Sequence, residues 1–324
     1  MPAAPSAAIG APTVNPMPAS TAPVPLGPGP TPDATSPNGA SPATPAGGAP
    51  EAPVAPPAAL PRTPFAKRVG LQLFSLRNQL DADLPGTLTL VQQMGFQQVE
   101  AYSLHGQTAA QLRAMLDERE LSVGGFLAPF ERFEADAAGV IEDAQVLGAP
   151  VVGCAWIPHP GGYTAETNER AIEVFTNAGL LARTAGLRFV YHPHGYEFHP
   201  GGIGETLLDQ MIQRTETGVV DFEMDTFWIV HAGADPVAYL NRYPDRFPLF
   251  HLKDMREDTP RGLTTGSASP NSNVQLGTGI IGFSPIIQTA EAQGEAVYFI
   301  EDESNLVVRT LPLSLQYLLG LQAQ

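Results

Sequence analysis

Beyond residue 64, short runs of apolar and β-branched residues alternate with longer segments whose apolar residues recur every three or four positions. The short runs predict strands, and the longer segments predict helices that pack one apolar face on a core. Eight strands are predicted, at residues 69–74, 98–102, 121–126, 150–156, 187–192, 218–224, 247–254 and 296–300. Helices are predicted at residues 83–94, 108–119, 133–147, 164–185, 205–214, from Asp235 onward, 282–293 and 309–321.

The strict alternation of strand and helix predicts a parallel sheet, and eight such units predict a closed (β/α)8 TIM barrel. The 260 residues that follow position 64 in the 324-residue chain give about 32 residues per unit. That length accommodates a strand, a crossover helix and two loops. A loop of about 25 residues, rich in Gly, Ser, Thr and Asn, follows the seventh strand, and its length favours a functional role such as a lid.

Residues 1–64 differ in composition, with 19 of the 33 prolines and only three charged residues, Asp33, Glu51 and Arg62. Such a segment buries too little apolar surface to offset its ordering entropy, so we predict a disordered or polyproline-like tether ahead of a domain at 65–324. No signal-like start is present, and no stretch approaches the roughly 18 apolar residues of a membrane span. Tethers of this kind often follow a signal or lipid anchor. We therefore expect a periplasmic or envelope-tethered location, with a cytoplasmic one as the alternative.

The net charge narrows the class of partner. The chain carries a formal charge of −16, and the tether contributes −1 of it, which leaves −15 on residues 65–324. Phosphate backbones require a basic face, so a nucleic acid partner is excluded. The single cysteine, Cys154 in an apolar run, excludes an internal disulfide and is interpreted as a small buried hydrophobe. The sequence leaves a monomer and a homo-oligomer open.

In a TIM barrel the reactive groups gather at the carboxyl ends of the strands. The first, second and fourth predicted strands end near polar or aromatic residues suited to a hydroxylated ligand, namely Gln72, Glu100, His105 and Trp156. We assign these residues to substrate binding, together with Trp228, whose ring is expected to stack on the apolar face of that ligand.

The last four predicted strands end in groups that can bind a divalent cation: His192, Asp225, His251 and Glu301. A lone histidine at a strand end is more often structural, but four ligands on adjacent strands favour one shared site. Two imidazoles and two carboxylates suit Mn²⁺, Co²⁺, Zn²⁺ or Fe²⁺ better than Mg²⁺ or Ca²⁺, and Mn²⁺ is our expectation.

Six motifs carry a family resemblance: GLQLFSLR, VEAY, YHPHGYEF, MDTFW, HLKD and FIEDES, in strand order. With them the chain resembles the xylose-isomerase-like TIM barrels, the sugar phosphate isomerase/epimerase superfamily, over residues 68–322. The resemblance implies one divalent metal held by Glu, Asp, His and Glu, and Asp225, His251 and Glu301 match the last three positions. The first position reads YHPH instead, where His192 is the aligned candidate and His194 the alternative.

The same resemblance implies a metal-dependent isomerase or epimerase of a sugar or keto-sugar, which works through an enediolate. Superfamily epimerases use two metal-bound glutamates, whereas this chain offers only Glu301. The second proton transfer must then be carried out by His194, Lys253, Glu197 or water. Lys253 is expected to neutralise negative charge that develops on a substrate oxygen. Elimination from a 3-keto-glycoside, with Glu301 or His194 as the base, is equally consistent.

Two alternatives come from other classes of protein. One is a non-catalytic carbohydrate-binding protein, and the other is a barrel endonuclease, which the acidic charge disfavours. The arginines nearest the predicted site, Arg77 and Arg256, form no evident phosphate pocket, so we expect a small unphosphorylated carbohydrate.

Overall fold

The computed structural model of the chain describes residues 63–202 and 205–321. Apart from Thr63 and Pro64, the predicted tether lies outside the described residues. Within the described ranges, no helix combines the length and the apolar character needed to cross a membrane.

Eight parallel strands close into a barrel, as predicted. They are β1 (Val69–Gln72), β2 (Gln98–Ala101), β3 (Ser122–Leu127), β4 (Val151–Cys154), β5 (Arg188–Tyr191), β6 (Asp221–Asp225), β7 (Leu249–Leu252) and β8 (Val297–Ile300). Each strand pairs with its neighbours in the sequence of barrel strands, and β8 pairs with β1 to close the sheet. The carboxyl ends of all eight strands therefore meet at one rim.

Helices cover the outside of the barrel. They are α1 (Arg77–Ala82), α2 (Leu84–Gln93), α3 (Ala109–Asp117), α4 (Phe130–Leu147), α5 (Ala165–Thr184), α6 (Leu207–Arg214), α7 (Thr226–His231), α8 (Pro236–Arg242), α9 (Phe283–Gln293) and α10 (Val307–Leu321). The periodicity missed α1 and α7, because six residues are too few to show a helical repeat. It also predicted that α4 begins at Phe133, three residues after its observed start at Phe130.

Local capping explains several of the helix starts. Thr108 and Gln111 form a reciprocal capping box at α3, with the Gln111 amide donating to Thr108 Oγ1 at 3.2 Å. Asp235 accepts from the Val237 amide at 2.9 Å, with a proline in the first turn of α8. These side chains satisfy amides that would otherwise lack partners, and so fix where each helix begins.

The barrel interior is filled by side chains rather than open. Phe299 packs there with Val151, Val190 and Leu249. Gly70 and Gly124 face the Phe299 ring, and a Cβ at either glycine would lie 2.8 Å from it. The ring therefore fits only because β1 and β3 carry no side chain at these positions, and it forms part of a solid floor below the rim.

The long loop after β7 is anchored at both ends. Asp254–Met255 pairs antiparallel with Asn273–Val274. The buried carboxylate of Asp254 accepts hydrogen bonds from the backbone amides of Met255, Gly277, Gly279 and Ile281, at 2.8 to 3.1 Å. Asp254 thus holds the end of the loop to the strand that carries His251.

Candidate active site

The four predicted metal ligands lie together at the carboxyl ends of β5 to β8. His192 Nε2 is 3.6 Å from Asp225 Oδ2, and His251 Nδ1 is 2.9 Å from Glu301 Oε2. His192, Asp225 and His251 each offer one ligand atom, and these three atoms lie within 4.8 Å of one another. All four residues are buried.

The carboxylate of Asp225 shows that this cluster suits a cation. Its Oδ1 accepts from the amides of Phe227 at 2.8 Å and Trp228 at 3.1 Å, so it caps α7. Its Oδ2 is buried and has no hydrogen-bond partner among the described residues. A buried oxygen without a partner is costly, and a cation between Asp225, His192 and His251 would satisfy it.

Sequence reasoning missed Glu223, which contacts both histidines. Its Oε2 lies 3.1 Å from His192 Nδ1 and 3.1 Å from His251 Nε2. Glu223 stands two residues before Asp225 on β6, so both side chains point to the same face of the strand. The carboxylate orients both imidazoles and leaves His192 Nε2 and His251 Nδ1 facing the other two ligands. The available signal was this period-two spacing in FEMD.

Glu100 extends the same network across the barrel. Its Oε2 is 2.6 Å from His251 Nε2 and accepts from Gln72 Nε2 at 2.5 Å. Glu100 is fully buried, and both residues were predicted to bind substrate. In the structure, Glu100 contacts His251, while Gln72 contacts Glu100 and also lines the cavity above.

The site carries more negative than positive charge. The cluster holds five carboxyl groups (Glu100, Glu223, Asp225, Glu301 and Glu303) and one lysine, Lys253, which lies nearest to Glu301, Glu303 and Asp225. Burial, and then the charge of Glu100, raises the pKa of Glu223 to about 8. Burial likewise raises the pKa of Asp225 to about 7. This excess of carboxylates is the electrostatic environment that a divalent cation stabilises.

Lys253 is buried against two carboxylates, with Nζ 3.3 Å from Glu301 Oε1 and 2.5 Å from Glu303 Oε1. Burial alone would lower the pKa of this amine, but Glu301 and Glu303 raise it above the ordinary value. Its backbone is held by Thr226, whose Oγ1 donates to the Lys253 carbonyl at 3.0 Å. Lys253 is therefore a fixed cation beside Glu301.

His194 differs from His192 in its surroundings. Its Nδ1 is buried and has no hydrogen-bond partner among the described residues. The ring centroid lies 4.7 Å from that of His192 and 5.5 Å from those of Trp156 and Trp228. Burial, followed by the charge of Lys253, lowers the pKa of His194 to about 3, so the imidazole is neutral near pH 7. A neutral imidazole with a free nitrogen can accept a proton.

A cavity of about 380 Å³ opens above these groups. Trp156 lines it, as do His192, His194, His251, Glu301 and Glu303. The other two predicted substrate ligands lie elsewhere. His105 packs edge-on against Tyr102, 5.0 Å between centroids, and does not line the cavity; Trp228 is buried behind His194.

Sequence comparison supports the same family as the structure. A family model described as "Xylose isomerase-like TIM barrel" matches residues 88–313. An inosose dehydratase from Clostridium beijerinckii is 26% identical over 220 residues, which are 60% of this chain and 73% of that protein. An inosose dehydratase from Geobacillus kaustophilus is 34% identical over 92 residues, and the match spans only 28% of the length of either chain.

Solved structures share the fold at low identity. A sugar phosphate isomerase/epimerase from Parabacteroides distasonis has a TM-score of 0.63 at 21% identity, covering 77% of this chain and 92% of that one. The IOLI protein with a bound zinc atom has a TM-score of 0.59 at 15% identity, over 79% and 96% of the two chains. A probable 3-DHS dehydratase from Bacillus anthracis has a TM-score of 0.59 at 15% identity, covering 78% of this chain and 98% of that one.

The family model covers well over half of the chain, and the barrel closes as that family requires. The resemblance inferred from the motifs is confirmed: the chain belongs to the xylose isomerase-like TIM barrel family.

Proposed function

We propose that the protein is a metal-dependent carbon–oxygen lyase, which eliminates a group from the carbon β to the carbonyl of a keto-sugar or keto-polyol. One observation carries this proposal. His192 Nδ1 is hydrogen-bonded to Glu223 and its Nε2 faces Asp225, so this imidazole has no nitrogen left to act as a base. Epimerisation by two bases on opposite faces of one carbon would need a base at that position, whereas elimination needs one base and one acid.

Relatives support the same class of reaction. The inosose dehydratases of Clostridium beijerinckii and Geobacillus kaustophilus are named for a dehydration, which is an elimination. The isomerase or epimerase interpretation, which the motifs favoured, is therefore the alternative that the experiment must exclude.

The residues fit a divalent cation held by His192 Nε2, Asp225, His251 Nδ1 and Glu301. When bound, such a cation polarises the substrate carbonyl and acidifies the neighbouring C–H bond. The donor set suits Mn²⁺, Zn²⁺, Co²⁺ or Fe²⁺, and Mn²⁺ remains our expectation.

We assign the base to His194, which lines the cavity and keeps Nδ1 free. Glu301 is less suited, because Lys253 Nζ contacts its Oε1 at 3.3 Å and His251 Nδ1 contacts its Oε2 at 2.9 Å, so neither oxygen is free. Lys253 stabilises negative charge that develops on the substrate oxygen. The proton that His194 takes is the one available to the departing oxygen, and Glu303 holds Lys253 in place through their hydrogen bond.

In this scheme His194 removes the proton from the carbon next to the carbonyl. The electron pair of that C–H bond forms a carbon–carbon double bond, and the bond from the β-carbon to oxygen breaks. The departing oxygen takes a proton, so the products are an unsaturated ketone and water or an alcohol.

The test uses full-length protein purified without chelator. Its metal content is measured by mass spectrometry, and the protein is incubated in D₂O with an inosose and with 3-keto-glucosides. Elimination releases water or alcohol and creates an absorbing enone, whereas epimerisation only exchanges the α-proton for deuterium. We expect release with wild type and none with His194→Ala that still binds metal.

Two results would reject the proposal. Deuterium exchange without release would assign the protein to the epimerases. Sugar binding that is unchanged in Glu301→Gln, with no turnover under any metal, would indicate a carbohydrate-binding protein.

A further inference from the structure

The cavity above the cluster has two unlike walls. The wall from β5 to β8 carries the histidines and carboxylates described above. The facing wall, from the ends of β1 to β4, is built almost wholly from apolar and aromatic side chains: Phe74, Tyr102, Leu127, Pro129, Phe130 and Trp156. We call these six residues the apolar wall. A fully hydroxylated ring needs hydrogen-bond partners around its edge, and the apolar wall offers almost none.

Trp156 is an exposed aromatic residue of the apolar wall. Its exposed fraction is 45%, and it is the one aromatic residue among the large hydrophobic side chains that are exposed in residues 63–202 and 205–321. The ring is held by Tyr196 at 5.0 Å, His159 at 4.9 Å and His194 at 5.5 Å between centroids. A large apolar surface that is both exposed and held in place is a typical binding surface, because little conformational entropy is lost when a ligand covers it.

Charge excludes an anionic group on this part of the ligand. Among the described residues that line the cavity there is no lysine or arginine, while Glu131, Glu301 and Glu303 contribute carboxyl groups. Arg77, close by, stacks on Phe74 with its guanidinium carbon 4.5 Å from the ring centroid, and pairs with Glu303 at 3.3 Å. A phosphate or carboxylate facing the apolar wall would meet no free cation.

We propose that the apolar wall is a subsite for an uncharged aromatic aglycone. The substrate is then a 3-keto-glycoside, and the departing group is an alcohol or phenol rather than water. This inference rests on the lyase function proposed above. The C2 proton passes to the base, the C1–C2 double bond forms, the C1–O bond breaks and the aglycone oxygen takes a proton. The step needs no oxidant or reductant.

The test compares phenyl and methyl 3-keto-β-glucosides in wild type and in Trp156→Ala. The two glycosides differ in leaving-group reactivity, but that difference is the same for both proteins and cancels in the ratio. We expect Trp156→Ala to lower kcat/KM about 10-fold for the phenyl glycoside and less than about 3-fold for the methyl glycoside. Trp156→Phe should keep most of the wild-type kcat/KM for the phenyl glycoside. Leu306→Ala, at a 61% exposed residue that does not line the cavity, is the matched control and should change neither value.

Several outcomes separate this inference from the proposed function. Equal losses for the two glycosides in Trp156→Ala would overturn the subsite. Dehydration of an inosose without cleavage of either glycoside would also overturn it, while leaving the lyase function intact.

If no compound turns over, the lyase function fails and binding still decides the subsite. In saturation-transfer NMR, the phenyl protons of unoxidised phenyl β-glucoside should receive saturation from wild type and lose most of it in Trp156→Ala. No transfer to the phenyl ring in wild type would overturn the inference regardless of activity.

Discussion

Replacement of Glu223 by glutamine tests whether one carboxylate orients both histidines of the cluster. The amide has nearly the shape of the carboxylate but no charge. Its oxygen can still accept a hydrogen bond from an imidazole N–H, so the substitution weakens the contacts to His192 and His251 without leaving a cavity.

The magnitude follows from the two contacts, each 3.1 Å long. Hydrogen bonds to charged groups contribute about 1.5–3 kcal/mol and those between neutral groups about 0.5–1.5 kcal/mol, so each contact loses about 1 kcal/mol. Glu100 still offers a carboxylate 2.6 Å from His251 Nε2, which covers part of the loss there. A total of about 1–2 kcal/mol corresponds to a roughly 5- to 30-fold weaker metal Kd.

Isothermal titration with Mn²⁺ measures this Kd in the metal-free protein. Co²⁺ substitution adds a second readout, because its visible spectrum reports the geometry of the ligands independently of activity. Glu303→Gln is the matched control: this carboxyl group lines the same cavity, but its described contacts are to Lys253 and Arg77. Because the control removes no described contact with His192 or His251, we expect its Kd for Mn²⁺ to stay within about 3-fold of the wild-type value.

The stability of the metal-free variant distinguishes a loss of histidine orientation from misfolding of the protein. Burial and Glu100 raise the pKa of Glu223 to about 8, so the ionised carboxylate is disfavoured in the metal-free fold. The glutamine variant should therefore be at least as stable as wild type at pH 8.5 without metal, although it binds metal more weakly. An unchanged Kd and Co²⁺ spectrum would refute the orienting role, and a lower melting temperature in the metal-free variant would attribute the weaker binding to misfolding.

Three further predictions concern stability. Burial raises the pKa of Glu197 to about 7, against about 4.3 in the unfolded chain. Stability is therefore lost as the pH rises from 4 to 7, and Glu197→Gln should remove up to about 3 kcal/mol of that loss in urea titrations at several pH values. A difference in stability between Glu197→Gln and wild type that does not change with pH would contradict this prediction. Thr226→Val removes the hydroxyl that bonds the Lys253 backbone and should cost about 1–3 kcal/mol in the same titration, whereas no cost would show that this bond is dispensable. Mn²⁺ at 100 times its Kd should raise the free energy of unfolding by about 2.7 kcal/mol, which is roughly 5–10 °C in melting temperature, and EDTA should reverse this increase. An unchanged melting temperature would reject the metal site.

The barrel could be predicted from the sequence because its signal is repeated. Each unit buries an apolar strand and one face of a helix, so eight imperfect patterns reinforce one another. The short helix α7 gave no such signal. It begins where the Asp225 carboxylate accepts two backbone amides, a contact that depends on where β6 ends and not on any periodicity.

The site could be predicted only in part, because strand ends reveal which residues reach the rim but not what they touch there. Glu100 is predicted to bind substrate, but the sequence did not reveal its contact with His251, which lies 151 residues later. Glu223 read as one more residue of a buried strand. Both contacts depend on the register and closure of the barrel, which alternation alone does not specify.

The choice between His192 and His194 shows what the three-dimensional arrangement adds. Both lie just beyond β5 at period-two spacing, which predicts that both side chains reach the rim. In the fold, His192 has both nitrogens against carboxylates, with Glu223 on one side and Asp225 on the other. His194 lies next to it, lines the cavity, and has an Nδ1 without a hydrogen-bond partner among the described residues. One histidine is thus committed to holding a cation and the other is available to move a proton, and this division of roles favours elimination over a two-base epimerisation.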